Sequence, residues 1–584
     1  MAPQPSPSDE AAIELALVDA AARGEFLVEV ARSRRSARDV TARLLVKIHN
    51  AGQVDVVAEY LRLENNVQGP DFFLTRQAFE EALPDLAAPV AQVMRCTMRL
   101  SQQAGQDLLA RSVFSRFSAF CDKDPSRIAE GLEIAEADPN SFADLIYSLL
   151  LSGSKIDLQA FGQETLRLAE HPDPRVRHAA LSALGTLVGF EPTLALAALA
   201  AAVLKEDNES TLGAVIVSAL NLGAKIKTSD DRDKVLSILA DAMDKGGLLG
   251  LFAASQGLMF NVEALIGQPA IIDFVLDRLS QTPEDNNATL QQIDLLLQAL
   301  VTQSQHDSVI SFLERLLPTS EIERLFQKLQ STVHAIQSDH QLLQRIATRF
   351  LASGDAHLGR ACAELTSQIM ENNVRLAVDA SELVSTSDSD VIFLARKAMG
   401  HLFPTPITAA WFVISLMECA SDGAIGSLAE LLFNPLFLSH PRLAKELLSE
   451  GRTIWSKRVV KVLRAVSGRV DEYLTALGSP GTCPELQPSL RHVEAHNRHE
   501  ARKMAAMFKE AQARSVFMSL AKRSVLLYGR KSIVLTRDPF AQLHRTEIQM
   551  GSHGVTIEYP RLQRLDPTAL NYQLFMFRAE RRPS

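Results

Sequence analysis

Apolar positions recur along most of this chain at the three-to-four-residue spacing of helices, and the pattern is sharpest over residues 171–187, HPDPRVRHAALSALGTL. There Val176, Ala180, Ala183, Leu184 and Leu187 share one helical face. Asp173-Pro174 precedes them as a turn, with Asp placed to cap and Pro near the first helical position. Ala180 and Ala183 are small enough to let a neighbouring helix approach closely. Just upstream, Leu158, Phe161, Leu166 and Leu168 mark a helix of their own, so the predicted unit is helix, turn, helix. The same spacing predicts helices over 193–204, 230–243, 269–279, 290–301, 321–336, 340–351 and 489–521.

The unit recurs. Residues 388–402, DSDVIFLARKAMGHL, superimpose without gaps on 173–187, so that Asp388 falls on Asp173 and Val391 on Val176. In the same register Ala395 falls on Ala180, Ala398 on Ala183, Met399 on Leu184, Gly400 on Gly185 and Leu402 on Leu187. Residues 209–222 fit through Leu212, Ile216, Ala219 and Leu220, and 355–369 through Leu358, Cys362, Leu365 and Ile369. The first pair of starts, 173 and 209, lies 36 residues apart and the second, 355 and 388, lies 33 apart. That is the scale of two-helix repeats.

Asp173, Pro174, Val176, Arg177, Ala180, Ala183, Leu184 and Gly185 together resemble a HEAT repeat. The resemblance covers about 157–403 and implies an α-solenoid of stacked antiparallel helix pairs. It also implies that Asp173 and Arg177 belong to a polar ladder between turns, although the Arg is missing from the other copies. Proteins of that kind present a long surface to a protein partner.

The expected fold is therefore all-α with one addition. Residues 1–10 read as a disordered tail, 11–156 as a helical cap, 157–477 as the solenoid and 478–488, GSPGTCPELQP, as a linker. Residues 489–584 read as a basic module, a long helix followed by a short antiparallel sheet of four or five strands. The strand signals are 524–528 and 532–536 around Gly529-Arg530-Lys531, the alternation of Val555, Ile557 and Tyr559, and 574–577. Asp538-Pro539, 551–554 and Asp566-Pro567 read as the turns between them.

Composition narrows the function classes. At 584 residues the chain exceeds one ordinary core, which requires several domains or a stacked array. Five scattered cysteines without a CxxC pair argue against a disulfide framework or a structural zinc site and fit a reducing compartment. The longest apolar run, 194–204, is about half of a membrane span. A cytoplasmic location without membrane contact is expected, and the Ala, Leu and Arg bias is that of a bacterial chain. The net charge is −9, yet from Arg491 onward 17 Lys and Arg stand against 8 Asp and Glu.

Candidate chemistry is sparse. Lys457, Lys461 and Arg464 run along one face of a helix whose apolar stripe is Val459, Leu463, Val466 and Val470, with Arg452 and Arg458 nearby. Arg32 and Arg35, in a cluster with Arg34, Arg38 and Arg43, form a second candidate surface for an anion or a partner. His492, His496 and His499 share a helix face, but HVEAH lacks the HExxH order, so packing of neutral histidines is expected in place of zinc. Acidic turns at 205–208 and 283–286 would give a stacked array a negative ridge. His544, Arg545 and His553 have no nucleophile or metal carboxylates beside them and read as turn and edge residues. No phosphate-binding loop, nucleophile elbow, kinase set or dinucleotide fingerprint occurs.

The leading expectation is a non-catalytic scaffold for a protein partner, without cofactor or small-molecule substrate. The alternative is a nucleic-acid-binding solenoid using the basic residues of 452–584. An enzyme with its site in 489–584 ranks third, since no converging acid, base and nucleophile can be named there.

Overall fold

Helix pairs on the expected spacing make up most of the protein. The computed structural model describes residues 7–63, 70–104, 112–367, 374–383, 387–451, 454–479, 481, 488–514, 531–537, 543–549 and 560–582. They divide into two compact units, Met1–Ile346 and Ala347–Ser584.

In the first unit the order is α1 (Pro7–Arg23), α2 (Phe26–Ser36), α3 (Arg38–Asn50), α4 (Val56–Leu61), α5 (Pro70–Ala82), α6 (Val90–Ala104) and α7 (Ser112–Asp122). It continues with α8 (Ser126–Ala137), α9 (Pro139–Ser154), α10 (Leu158–Leu168), α11 (Pro174–Leu184), α12 (Pro192–Lys205), α13 (Glu209–Gly223) and α14 (Ser229–Leu265). The last are α15 (Pro269–Leu279), α16 (Asn287–Thr302), α17 (His306–Leu316), α18 (Ile322–Lys328) and α19 (Gln330–Ser338). α20 (His340–Ser353) crosses from the first unit's residues into the second's.

Every second helix stacks on its counterpart in the next pair: α9 on α11, α11 on α13, α13 on α14, α14 on α16 and α16 on α19. A rhythm of caps sets the period. The side chains of Asp138, Asp173 and Asn208 each accept from a backbone N–H of the helix they start, and these caps fall 35 residues apart. The face named from 171–187 is buried throughout, with Val176, Ala180, Ala183 and Leu184 at 0 % exposure. The same pairing reaches back through α2, α5, α7 and α9, so stacked helices also occupy residues before 157.

Glycine matters at two points of this stack. A Cβ on Gly185 would lie 2.5 Å from the Cα of Ser218, so only glycine lets α11 end against the backbone of α13. At Gly247 the backbone leaves the helix (φ 52°, ψ −136°) and turns α14 into a helix pair that packs on α13 through both halves. By length and composition α14 is the one element among the described residues that could cross a membrane. Its break at Gly247 makes it two short helices instead of one rod. The stretch expected as one helix over 321–336 is likewise two, α18 and α19, separated at Leu329.

The second unit contains α21 (Ala356–Ser367), α22 (Asp388–Leu402), α23 (Pro406–Cys419), α24 (Asp422–Leu431), α25 (Pro441–Gly451), α26 (Lys457–Gly478) and α27 (Leu490–Arg514). After a strand pair come α28 (Arg561–Leu565) and α29 (Pro567–Ala579). The stretch 374–383, extended but for a 3-10 turn at Ala380–Glu382, is pinned to α23: Val378 N–H donates to Ser415 Oγ at 2.8 Å, and Thr408 Oγ1 donates to the Val374 carbonyl at 2.9 Å. Both tryptophans meet here, Trp411 and Trp455 with ring centroids 4.9 Å apart. The apolar stripe Val459, Leu463, Val466 and Val470 of α26 is buried.

The expected C-terminal sheet module is overturned. Among the described residues the only strand pairing is a two-stranded antiparallel ribbon, β1 (Lys531–Arg537) with β2 (Leu543–Gln549), in the register Lys531 opposite Gln549. The expected strand 532–536 falls within β1, while 524–528, the turn at 529–530 and 551–559 lie outside the described residues. Residues 574–577, expected as a strand, are helical. The cause is local: Asp566 accepts from the Ala569 N–H at 2.9 Å and Pro567 fills the first helical position, so the dipeptide read as a turn is a helix start. The last element of the chain is a helix on other helices, and the described fold is all-α apart from the ribbon.

Candidate functional site

α22 and α29 build the most specific arrangement in the second unit. α22 begins at Ser387, whose Oγ accepts from Asp390 N–H at 3.2 Å. One face carries the repeat positions Val391, Leu394, Ala395, Ala398, Met399 and Leu402, all buried. The neighbouring face carries Arg396, Lys397, Gly400 and His401, and α29 lies against it. α29 contributes Leu570 and Leu574, an i, i+4 pair that is 2 % and 7 % exposed. Burial of two leucines is worth roughly 3–6 kcal/mol before the cost of ordering the helix.

Polar contacts fix the end of α29. Lys397, 2 % exposed, donates from Nζ to the Arg578 carbonyl at 2.5 Å and to the Gly354 carbonyl at 3.3 Å. The Arg578 carbonyl belongs to the last turn of α29, where the partial negative charge of a helix gathers, so the buried ammonium is answered by a helix end. Its Nζ also stands 5.4 Å from the Phe393 ring centroid. Burial lowers the Lys397 pKa, opposed by the charges of Glu580 and Asp355. Arg396 pairs with Glu580 at 2.8 Å and Arg582 with Asp390 at 3.4 Å. Gly400 makes room: a Cβ there would lie 2.9 Å from Arg578 Cγ and 3.0 Å from its backbone N. His401 stands against Gly359, and burial, aided by Lys397 and Arg578, pushes its pKa down to about 4.

None of Lys397, Leu570, Leu574 and Arg578 was expected at a site. The signal for α29 was present in Asp566-Pro567 followed by the leucine pair. Lys397 carried none, because its burial depends on a helix 170 residues later in the chain.

The basic face of α26 is where the sequence places it. Lys457, Arg458, Lys461 and Arg464 are exposed. Arg458 is engaged by the Ala420 carbonyl at 2.8 Å and by Asp422 at 3.1 Å, and Arg452 lies outside the described residues. The N-terminal arginines are ion-paired: Arg32 with Glu29 at 2.9 Å, Arg35 with Asp71, the buried Arg34 with Glu81, and Arg43 with Glu10 at 2.9 Å.

The repeat residues form links between helix pairs. Arg177 Nε reaches Glu206 at 2.8 Å and its Nη1 reaches the His171 and Pro172 carbonyls, while Arg175 reaches back to Asn140 at 2.5 Å. The hydrogen bond and charge of Arg175 hold Asp173 down at about 2. Glu206, from the acidic turn expected to face solvent, is 5 % exposed; burial works against its charge, but Arg177 and backbone N–H groups outweigh it and its pKa is lowered. The negative ridge is thus spent at Glu206 on a link inside the stack. A cleft of about 690 Å³ beside it is lined by Arg167, Arg177, Lys205 and Glu206, and Arg167 pairs there with Glu136 and Glu164.

His492, His496 and His499 lie on α27 with exposed side chains. Among the described residues no group of three or more His, Cys, Asp or Glu is placed to hold a metal ion. His544 and Arg545 fall on β2 and His553 outside the described residues. The fold and these contacts define a helical-repeat-like, all-α protein. The chain matches no known protein-family model and no curated protein sequence.

Proposed function

We propose that the protein is a non-catalytic scaffold of the HEAT-like kind, cytoplasmic, whose stacked helix pairs hold a protein partner. One observation carries the reading: the face of α22 already accepts a helix from elsewhere in the chain, through the close approach of Phe577 and Arg578 to Gly400, a captured helix end and an ion pair. Stacked pairs bury their seams and leave such faces outside. The test is affinity capture from native lysate with and without residues 489–584, followed by reconstitution of any recovered partner from purified components. Failure to reconstitute a complex overturns the reading.

A second reading has one observation in its favour. Lys457, Lys461 and Arg464 are exposed on α26 and have no ion-pair partner among the described residues, as a phosphate-contacting stripe requires. Gel shift across a salt series tests it, and absence of binding at low salt rejects it.

A further inference from the structure

The contacts that hold α29 are those of recognition, and none of them depends on α29 belonging to the same chain. The helix buries Leu570 and Leu574 and sets the half-buried Phe577 against Gly400, while Tyr572, Phe575 and Met576 remain 65, 56 and 48 % exposed. Its end is read by Lys397, a buried cation that hydrogen-bonds to the carbonyls of Arg578 and Gly354, and by Arg396, which takes the carboxylate of Glu580. Gly400 removes the side chain that would keep any helix backbone at a distance. The groove is thus complementary in charge to a helix C-terminus followed by an acid. In sequence, 88 residues separate the end of α26 from the start of α29.

We propose that the face of α22 is a helix-binding site for a partner protein and that α29 is its built-in competitor. The partner segment it fits is an amphipathic helix with two leucine-sized residues at i, i+4. That helix ends about four residues after the second of them, and a carboxylate follows two residues later, as Glu580 follows Arg578. Binding of such a helix displaces α29 and uncovers Leu570 and Leu574. The inference rests on the scaffold reading and names the partner's chemistry at this face.

The probe is a labelled peptide of residues 560–582, added to the full-length chain. With Leu570→Asp and Leu574→Asp in the chain's own α29, the groove is vacated, and fluorescence anisotropy should report binding at least tenfold tighter than to the unaltered chain. Adding Lys397→Met should remove that gain, and a peptide carrying the same two aspartates should not bind. If the vacated chain binds the peptide no better than the unaltered one while its circular dichroism is unchanged, the proposal is overturned. Should the double variant misfold, Glu580→Arg with Arg582→Glu loosens α29 from outside the leucine pair, and the same two outcomes apply. Peptide binding to the vacated groove with no reconstituted partner would uphold this site and sink the scaffold reading. A reconstituted partner with no peptide binding would do the reverse.

Discussion

Lys397 donates its ammonium to the carbonyl of Arg578, 181 residues further along the chain. A buried lysine without a contacting carboxylate is costly unless something else supplies negative potential, and here that is the end of α29. Lys397→Met keeps the length of the side chain and removes the donor. A hydrogen bond to a charged group is worth about 1.5–3 kcal/mol, so amide protection across α29 should fall roughly ten- to hundredfold. Hydrogen exchange followed by mass spectrometry reads this directly. Unchanged protection would mean that the leucine pair alone holds the helix.

Gly185 and Gly400, equivalent in the repeat, should respond differently to the same substitution. At Gly185 a methyl group would meet the Cα of Ser218 at 2.5 Å, backbone against backbone inside a stack. Gly185→Ala should therefore destabilise the first unit by about 1–3 kcal/mol, the usual cost of overpacking. At Gly400 the methyl group meets Arg578, on a helix that can leave. Gly400→Ala should release α29 and lower global stability little. Urea unfolding with hydrogen exchange on both variants makes the comparison, and equal losses would contradict it.

Arg177 and Glu206 form a link whose halves are not equal. Glu206 is 5 % exposed, so Arg177→Met strands a buried carboxylate, with an expected cost of about 3–5 kcal/mol. Arg177→Met with Glu206→Leu should recover most of that loss, because an apolar pair of similar size removes the unmet charge. A double-mutant cycle in urea shows whether the coupling has that sign.

Much of the fold was legible because its rules are local. Asp173-Pro174 and the face of Val176, Ala180, Ala183 and Leu184 define a helix from neighbours alone, and the 388–402 copy is helix α22 to the residue. The error at the C-terminus was also local. Over four residues, 574–577, apolar runs of strands and helices look alike, and the capping Asp566-Pro567 that separates them was read as a turn. The site was not legible, because it depends on which helix comes to lie on α22. Asp294 illustrates the same limit: mid-helix in α16, it accepts from the N–H groups of Ser331 at 3.0 Å and Thr332 at 2.7 Å, capping α19 from 37 residues away. Nothing near Asp294 in the sequence announces that role.

The same buried surroundings make the second unit sensitive to acid. His401 and His440 are 8 % and 4 % exposed, and burial holds both pKa values down at about 4, below the ordinary 6.5. The folded state therefore takes up their protons less readily than the unfolded one. Their contribution is fully present above pH 6.5 and is lost as the pH falls toward and through 4. At pH 5 each histidine should have removed about 2 kcal/mol of the stability present at neutral pH. His440 stands beside the Phe403 ring, with centroids 5.9 Å apart, so His440→Phe keeps an aromatic in place and removes the titration. Urea midpoints measured from pH 7 to 4.5 should fall less steeply for that variant than for the unaltered chain. Parallel curves would show that His440 binds its proton equally well in both states and that acid acts on the unit elsewhere.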